Sequence, residues 1–339
     1  MNVLGIESSC DETSVAILSG DELKSNLISS QDFHAKFGGV IPELSSRAHM
    51  QIIKPLVEQA LEQSGISLQQ VDLIAATAGP GLIGALLVGF TFAKGLAFTL
   101  EKPFVGVNHI EGHIFSGFLM AEKPEFPFLA LVVSGGHTLL LYVKSFTEIK
   151  HLGTTVDDAA GEAFDKVAKM LGFDYPGGPQ IQLAAGKGNE NAIQFPVASL
   201  KNKYDFSFSG LKTAVLRYIQ KNFGEIENAS AENINDIAAS FQKAVVEALL
   251  RNTEKALQEF DIKSVSLVGG VAANNYLRER IKSLSKKYNK KIIIPGLQFC
   301  GDNAAMIAFR GKTMFENGIE NPLNLKPYAS LSGHHFQQG

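Results

Sequence analysis

The sequence predicts an α/β protein built from two similar domains, and two observations carry that prediction. The first is an internal repeat. Val3 to Glu7 reads as an apolar strand, Ser8 to Glu12 as a tight polar turn and Thr13 to Leu18 as a second strand. The same order returns as Phe128 to Val133, Ser134-Gly135-Gly136-His137, and Thr138 to Val143. Each copy is followed by helical patterning, which is how an α/β layer is assembled, and two such domains would face one another across a cleft. The second observation is size: 339 residues, 45% of them hydrophobic, can fill two cores at about 150 residues per domain.

Between the hairpins, Gly38-Gly39-Val40-Ile41-Pro42-Glu43 leads into a helix through Ala48 to Gln63, and Leu73 to Ala76 is a short apolar strand. Gly79-Pro80-Gly81 then turns the chain into a helix over Leu82 to Leu100. Glycine, threonine and Lys94 interrupt that helix, so it reads as buried in protein and not as a membrane span. The second half holds a helix over Ala159 to Leu171, the irregular turn Tyr175-Pro176-Gly177-Gly178-Pro179 and a long helix from Ile234 to Phe260. Ser264 to Val268 is a strand, Gly269-Gly270 a turn, and Asn275 to Lys287 a helix. Asp302 to Ala308 opens a last helix, expected to pack back on the first domain.

A net charge of −3 supplies no global positive field, so an RNA partner would have to be held by a local patch or by other subunits. Cys10 and Cys300 are too few for a secreted disulfide framework. The opening residues Met1 to Glu7 lack a basic and then apolar leader, so the expected compartment is the cytoplasm, with no membrane attachment.

His109 and His113 stand four residues apart, and on a helix their imidazoles project from one face about 40° apart, which is metal-ligand spacing, or else a coincidence with His113 a satisfied core histidine. The order is HxExH, and Glu111 falls roughly 200° round the helix from His109, so it cannot be the base of a zinc protease. Ser134-Gly135-Gly136 after a strand offers backbone N–H groups to a phosphate or other oxyanion, or is simply a hairpin turn. The first turn instead offers carboxylates, Glu7, Asp11 and Glu12, suited to metal-bridged phosphate or to proton transfer, or simply makes a solvated turn. Gly269 to Asn274 would let a flat ring approach the backbone, with Asn274 serving the ligand or merely capping a helix. Asp165, beside Gly177-Gly178, would bind hydroxyls or belong to a charged helix face. The basic run Arg278, Arg280, Lys282, Lys286, Lys287, Lys290 and Lys291 is a solvated face or an RNA contact, the former being favoured. Cys300 reads as inert.

Eight segments in order, Gly5 to Thr13, Gly39 to Glu43, Asn108 to His113, Val133 to Thr138, Tyr175 to Pro179, Phe206 to Thr213, Gly269 to Asn274 and Asp302 to Met306, resemble the TsaD family of tRNA threonylcarbamoyltransferases. The resemblance implies an actin-like ATPase (ASKHA) fold, two similar α/β domains around a central nucleotide cleft, divided as 1–108 plus 303–325 and 109–302. It implies an acyltransferase that moves the threonylcarbamoyl group from threonylcarbamoyl-AMP to N6 of the adenosine 3′ of the anticodon, in tRNAs reading codons that begin with adenine. It joins Asp302 to His109 and His113 as ligands of one divalent metal, Fe²⁺ or else Zn²⁺. Substrate contacts carried over are Val132, Val133, Ser134, Gly135, Gly136, Asp165, Gly178 and Asn274, with an adenine nucleotide in the cleft. Asp11 or Glu12 is the candidate base. Implied partners are a TsaB-like paralogue, a TsaE-like ATPase, tRNA and a TsaC-type synthase that supplies the intermediate. Two positions depart from the family: Gln182 stands for an acidic residue and Gly301 for a threonine. A metallopeptidase and a sugar-kinase-like phosphotransferase are the rival readings.

Overall fold

The computed structural model describes residues 1–330. The chain divides into two compact units, Met1–Lys123 joined by the segment from Pro295, and Pro124–Ile294. The boundaries expected from sequence, 108/109 and 302/303, therefore differ: His109, His113 and Asp302 all belong to the first unit.

In the first unit the strands are β1 (Asn2–Glu7), β2 (Glu12–Ser19), β3 (Glu22–Ser30), β4 (Leu73–Gly79) and β5 (Phe104–Asn108), and the sheet order is β3-β2-β1-β4-β5. Helices α1 (Pro42–Ser64), α2 (Ile83–Leu100) and α3 (His109–Phe115) follow in chain order. In the second unit the strands β6 (Phe128–Val133), β7 (Thr138–Val143), β8 (Ile149–Thr154), β9 (Ser264–Val268) and β10 (Lys291–Ile293) give the order β10-β9-β6-β7-β8. Its helices are α4 (Ala160–Met170), α5 (Gly177–Ala185), α6 (Ser209–Asn222), α7 (Ala231–Glu259) and α8 (Asn275–Lys287). The first unit is completed by α9 (Leu297–Cys300) and α10 (Ala304–Glu316).

Read from opposite ends, the two sheets have one topology: a hairpin with a third antiparallel strand, then two parallel strands. Alternation along the hairpin decides which layer covers which face of the first sheet. Leu4, Ile6, Val15 and Ile17 share a core with Ile53, Val57 and Phe90 of α1 and α2, whereas Ala16 meets Ala304 and Ala305 of α10. The last helix thus packs back on the first unit, against β1, β2, β4 and β5. α1 begins six residues before the expected Ala48, because Pro42 sits in the first turn, where its missing N–H would have had no partner. α2 is long and apolar enough to cross a membrane, but here it packs on β4 and α1, with Phe90 and Ala93 in the core.

Candidate functional site

The hairpin pairing of β1 with β2 stops at Glu7 and Ser14, which leaves residues 8–13 as a turn at the C-terminal end of a central strand. β5, two strands away, ends at Asn108, whose side chain accepts the Ile110 and Glu111 amides and starts α3. That cap sets the phase of the short helix, and His109 and His113 then point the same way. Their rings meet edge to face with centroids 4.8 Å apart.

Asp302 precedes α10, whose cap Asn303 accepts the Met306 amide and donates to the Gly301 carbonyl, and the Ala304 amide is held by Ser14 Oγ. One carboxylate oxygen, Asp302 Oδ1, lies 3.4 Å from His109 Nε2 and 3.1 Å from His113 Nε2. A ligand atom from each of the three residues falls within 4.8 Å of the other two. Ligands about 2.0–2.2 Å from a divalent ion have mutual separations of about 3–3.5 Å, so both measured edges fit a shared metal. Two imidazoles and one carboxylate suit iron or zinc. The Gly301 departure leaves room, since a side chain built there meets nothing within 4 Å.

Glu7 completes this arrangement, and sequence reasoning missed its part. It is fully buried at the end of β1; Oε1 accepts the Ser9 amide at 2.6 Å, and Oε2 accepts the Thr77 hydroxyl. Glu7 Oε2 also lies 3.2 Å from His109 Nδ1. A carboxylate on Nδ1 fixes the Nδ1–H tautomer and leaves Nε2 to bind a cation. Burial disfavours the charged ring, but Asp302 and Glu7 outweigh it and hold His109 well above the usual histidine range. Burial alone would raise the two acids; the His109 charge offsets it and leaves Glu7 lowered and Asp302 well below a carboxylate's ordinary range. The proton between them sits where a metal's charge would do the same work. His113 differs, for among the described residues its buried Nδ1 has no hydrogen-bond partner.

Glu111 lies on the opposite side of α3, as its spacing requires, and Arg310 of α10 donates to its Oε2 from Nε at 2.8 Å and Nη2 at 2.5 Å. This buried pair ties α3 to α10, the elements that carry the two histidines and follow the aspartate. Asp11 and Glu12 occupy the end of the turn and the start of β2. Burial first, then the Asp302 and Asp11 charges, push Glu12 up to about 9.

In the second unit the hairpin tip is tighter, pairing through Val133 and Thr138 and leaving residues 134–137. The Ser134 amide donates to the His137 carbonyl at 2.8 Å, so it closes the turn and is not free for an oxyanion; Gly135 and Gly136 are exposed. Val132 and Val133 are buried in β6, so their side chains are not offered to a ligand. The start of α4 approaches this tip closely: the Gly161 amide donates to the Ser134 carbonyl, and a side chain there would lie 2.6 Å from that oxygen. Gly269, at φ +92°, adopts a left-handed conformation and presses on the Val133 backbone, so the close approach foreseen there is to β6; Gly270 is the open position. Asp165 does stand beside the Gly-Gly turn, accepting the Gly177 amide at 2.8 Å at the start of α5, with burial pushing its carboxyl up. Gly178 is half-buried with free space above it. Asn274 caps α8, accepting from Leu277 and donating to Gln242 at 2.8 Å, so both ends of its amide are engaged. Gln182 accepts the Asn275 amide at 2.6 Å, a bond an acidic residue would make equally well.

Similar folds occur in a HypF structure from T. kodakarensis (TM-score 0.66, 17% identity, 94% of this chain and 48% of that one) and in a ROK hexokinase from Thermus thermophilus (TM-score 0.50, 14% identity, 94% and 100%). The architecture is therefore the actin-like fold that these structures share. Within that class the chain belongs to the family described as TsaD, tRNA N6-adenosine threonylcarbamoyltransferase, whose profile matches residues 22–309. A protein of that description from Thermosipho africanus is 53% identical over 333 residues, 98% of this chain and 99% of that one.

Proposed function

We propose that the protein transfers the threonylcarbamoyl group from threonylcarbamoyl-AMP to N6 of the adenosine immediately 3′ of the anticodon, in tRNAs reading codons that begin with adenine. The observation that carries this reading is the near-full-length relationship to proteins of that description. The N6 amine attacks the carbamoyl carbon, the bond from that carbon to the phosphate oxygen breaks, and AMP leaves with the bonding pair. The mixed anhydride is already activated, so the protein supplies positioning, charge stabilisation and one proton acceptor.

A divalent cation, Fe²⁺ or Zn²⁺, held by His109, His113 and Asp302 would supply Lewis-acid charge for the phosphate or the carbonyl. Glu7 keeps the Nδ1 proton on His109 and so presents Nε2. The Gly135 and Gly136 amides donate to the AMP phosphate, while Asp165 and Gly178 meet hydroxyls of the adenine nucleotide or of the threonyl group. Asp11 or Glu12, at the end of the first turn and the start of β2, takes the amine proton. The work is done in the cytoplasm with a TsaB-like paralogue, a TsaE-like ATPase and a TsaC-type synthase, and the partners complete the basic surface for tRNA. A zinc-protease motif needs its own glutamate beside the metal, and Glu111 is committed to Arg310 instead.

Purified protein, its partners, unmodified tRNA and threonylcarbamoyl-AMP should yield the modified nucleoside by mass spectrometry. Unchanged nucleosides alongside peptide cleavage would reverse the assignment.

A further inference from the structure

The first hairpin leaves residues 8–13 unpaired between its strands, against 134–137 in the second, and it carries two acidic side chains in succession. What holds it comes from α1. Ser45 and His49 lie four residues apart on one face of that helix, both fully buried. The Cys10 carbonyl accepts from Ser45 Oγ at 2.5 Å and from His49 Nε2 at 3.0 Å. A carbonyl only accepts, so the tautomer that serves Cys10 carries its proton on Nε2, and in that tautomer Nδ1 accepts from Thr13 Oγ1, 2.7 Å away. One neutral ring therefore grips the residue before Asp11 and the residue after Glu12, and burial, which lowers His49, favours that neutral form.

A second layer locks the first. The Gln31 amide donates to the Asp11 carbonyl at 3.2 Å, and its side chain donates to the Ser45 carbonyl at 3.3 Å while accepting from His34 Nε2 at 2.9 Å. His34 Nδ1 in turn accepts the Ile41 amide at 3.3 Å, at the entry to α1. The carbonyls of Cys10 and Asp11, one before each acid, are thus fastened from outside the β1–β2 hairpin.

We propose that His49, with Ser45, is a positioning residue that clamps the Cys10 carbonyl and so aims the Asp11 and Glu12 carboxylates. The proposal rests on the reading of that pair as the acid–base groups of the transfer reaction. Its structural half can be read without the reaction, because Cys10 is itself a reporter: its thiol is half-buried and raised, by burial and then by the Asp11 and Asp302 charges, and should alkylate slowly.

His49→Gln puts an amide N–H where Nε2 lies, whereas His49→Asn reaches only as far as Nδ1 and loses the clamp. In the full chain, iodoacetamide should label Cys10 about 10-fold faster in His49→Asn than in the wild type, with buried Cys300 as internal reference by peptide mass spectrometry. kcat for transfer should fall about 10–100-fold while KM for threonylcarbamoyl-AMP moves less than about twofold, and His49→Gln should restore most of both losses. If His49→Asn does not fold, Ser45→Ala removes one of the two donors and should give about a threefold version of both effects. Cys10 labelling within about twofold of wild type, or a Gln variant no better than the Asn variant, overturns the clamp. A wild type that transfers nothing would defeat the reaction reading instead, and the labelling rates would still decide the clamp.

Discussion

The two hairpin turns occupy equivalent places in two sheets of one topology, and they have divided the chemistry between side chain and backbone. In the first, several main-chain groups are engaged elsewhere: the Ser9 amide serves Glu7, the Leu82 amide holds the Ser9 carbonyl, and the Cys10 carbonyl is clamped twice. What remains for function is carboxylate. In the second, the only polar side chains are Ser134 and His137, and the Gly135 and Gly136 main chain stands open. A repeated fold therefore conserves where a ligand can be met, while a few residues decide whether negative charge or N–H donors meet it.

The most severe break falls on the first unit. His109→Ala or Asp302→Ala should abolish stoichiometric metal and reduce transfer at least 100-fold or so, with the second unit's folding intact, because a three-ligand site has no spare donor. Elemental analysis of the purified variants decides it, and a full metal complement in either would separate Asp302 from the histidines. Next, Glu7→Gln should weaken metal affinity by about 10–100-fold without removing a ligand, since it disturbs only the partner of His109 Nδ1. Competition with a chelator measures this.

The comparison is sharpened from the other side by Gly135→Pro, which removes one of the open amides in the second turn. Metal content should be unchanged and KM for threonylcarbamoyl-AMP should rise about 5–10-fold, the loss of roughly one charge-assisted hydrogen bond. Equal damage to metal binding would mean that the turns do not divide the work. The smallest effect concerns pH. Glu12 has a folded-state value near 9, above its ordinary 4.5, so the folded protein holds a proton that the unfolded chain releases. The stability this contributes is complete below about pH 4.5 and declines as pH rises toward 9. Metal-stripped Glu12→Gln should lose that decline, so its melting temperature should fall less than the wild type's between pH 6 and 9. Parallel curves would remove Glu12 from the acidic cluster.

The hairpins and the His109–His113 pair were legible because each is local: strand alternation and a four-residue spacing need no knowledge of distant chain. Asp302 was reached only through family resemblance, being 189 residues from His113. Glu7 was seen as a turn carboxylate but not as the partner of His109, because β1 and α3 meet only once the sheet has ordered β1-β4-β5. The same blindness hid Arg310 behind Glu111, and it left Asn274 open between cap and ligand contact. Among strands, β3 (ELKSNLISS) alternates too weakly to announce itself, and β10 has three residues inside a basic run. α6 was missed inside a stretch noted only for its resemblance to a family motif.

The path of the chain has a consequence for biosynthesis. A ribosome delivers both histidines early, then makes the whole of the second unit before it releases Asp302 and α10. Until that helix docks, the first sheet lacks one of its covering layers, Glu111 lacks Arg310 and the nascent metal pocket is one ligand short. Any metal loading at this candidate site would thereby be deferred to the end of translation, and a truncated product would lack one of the three candidate ligands.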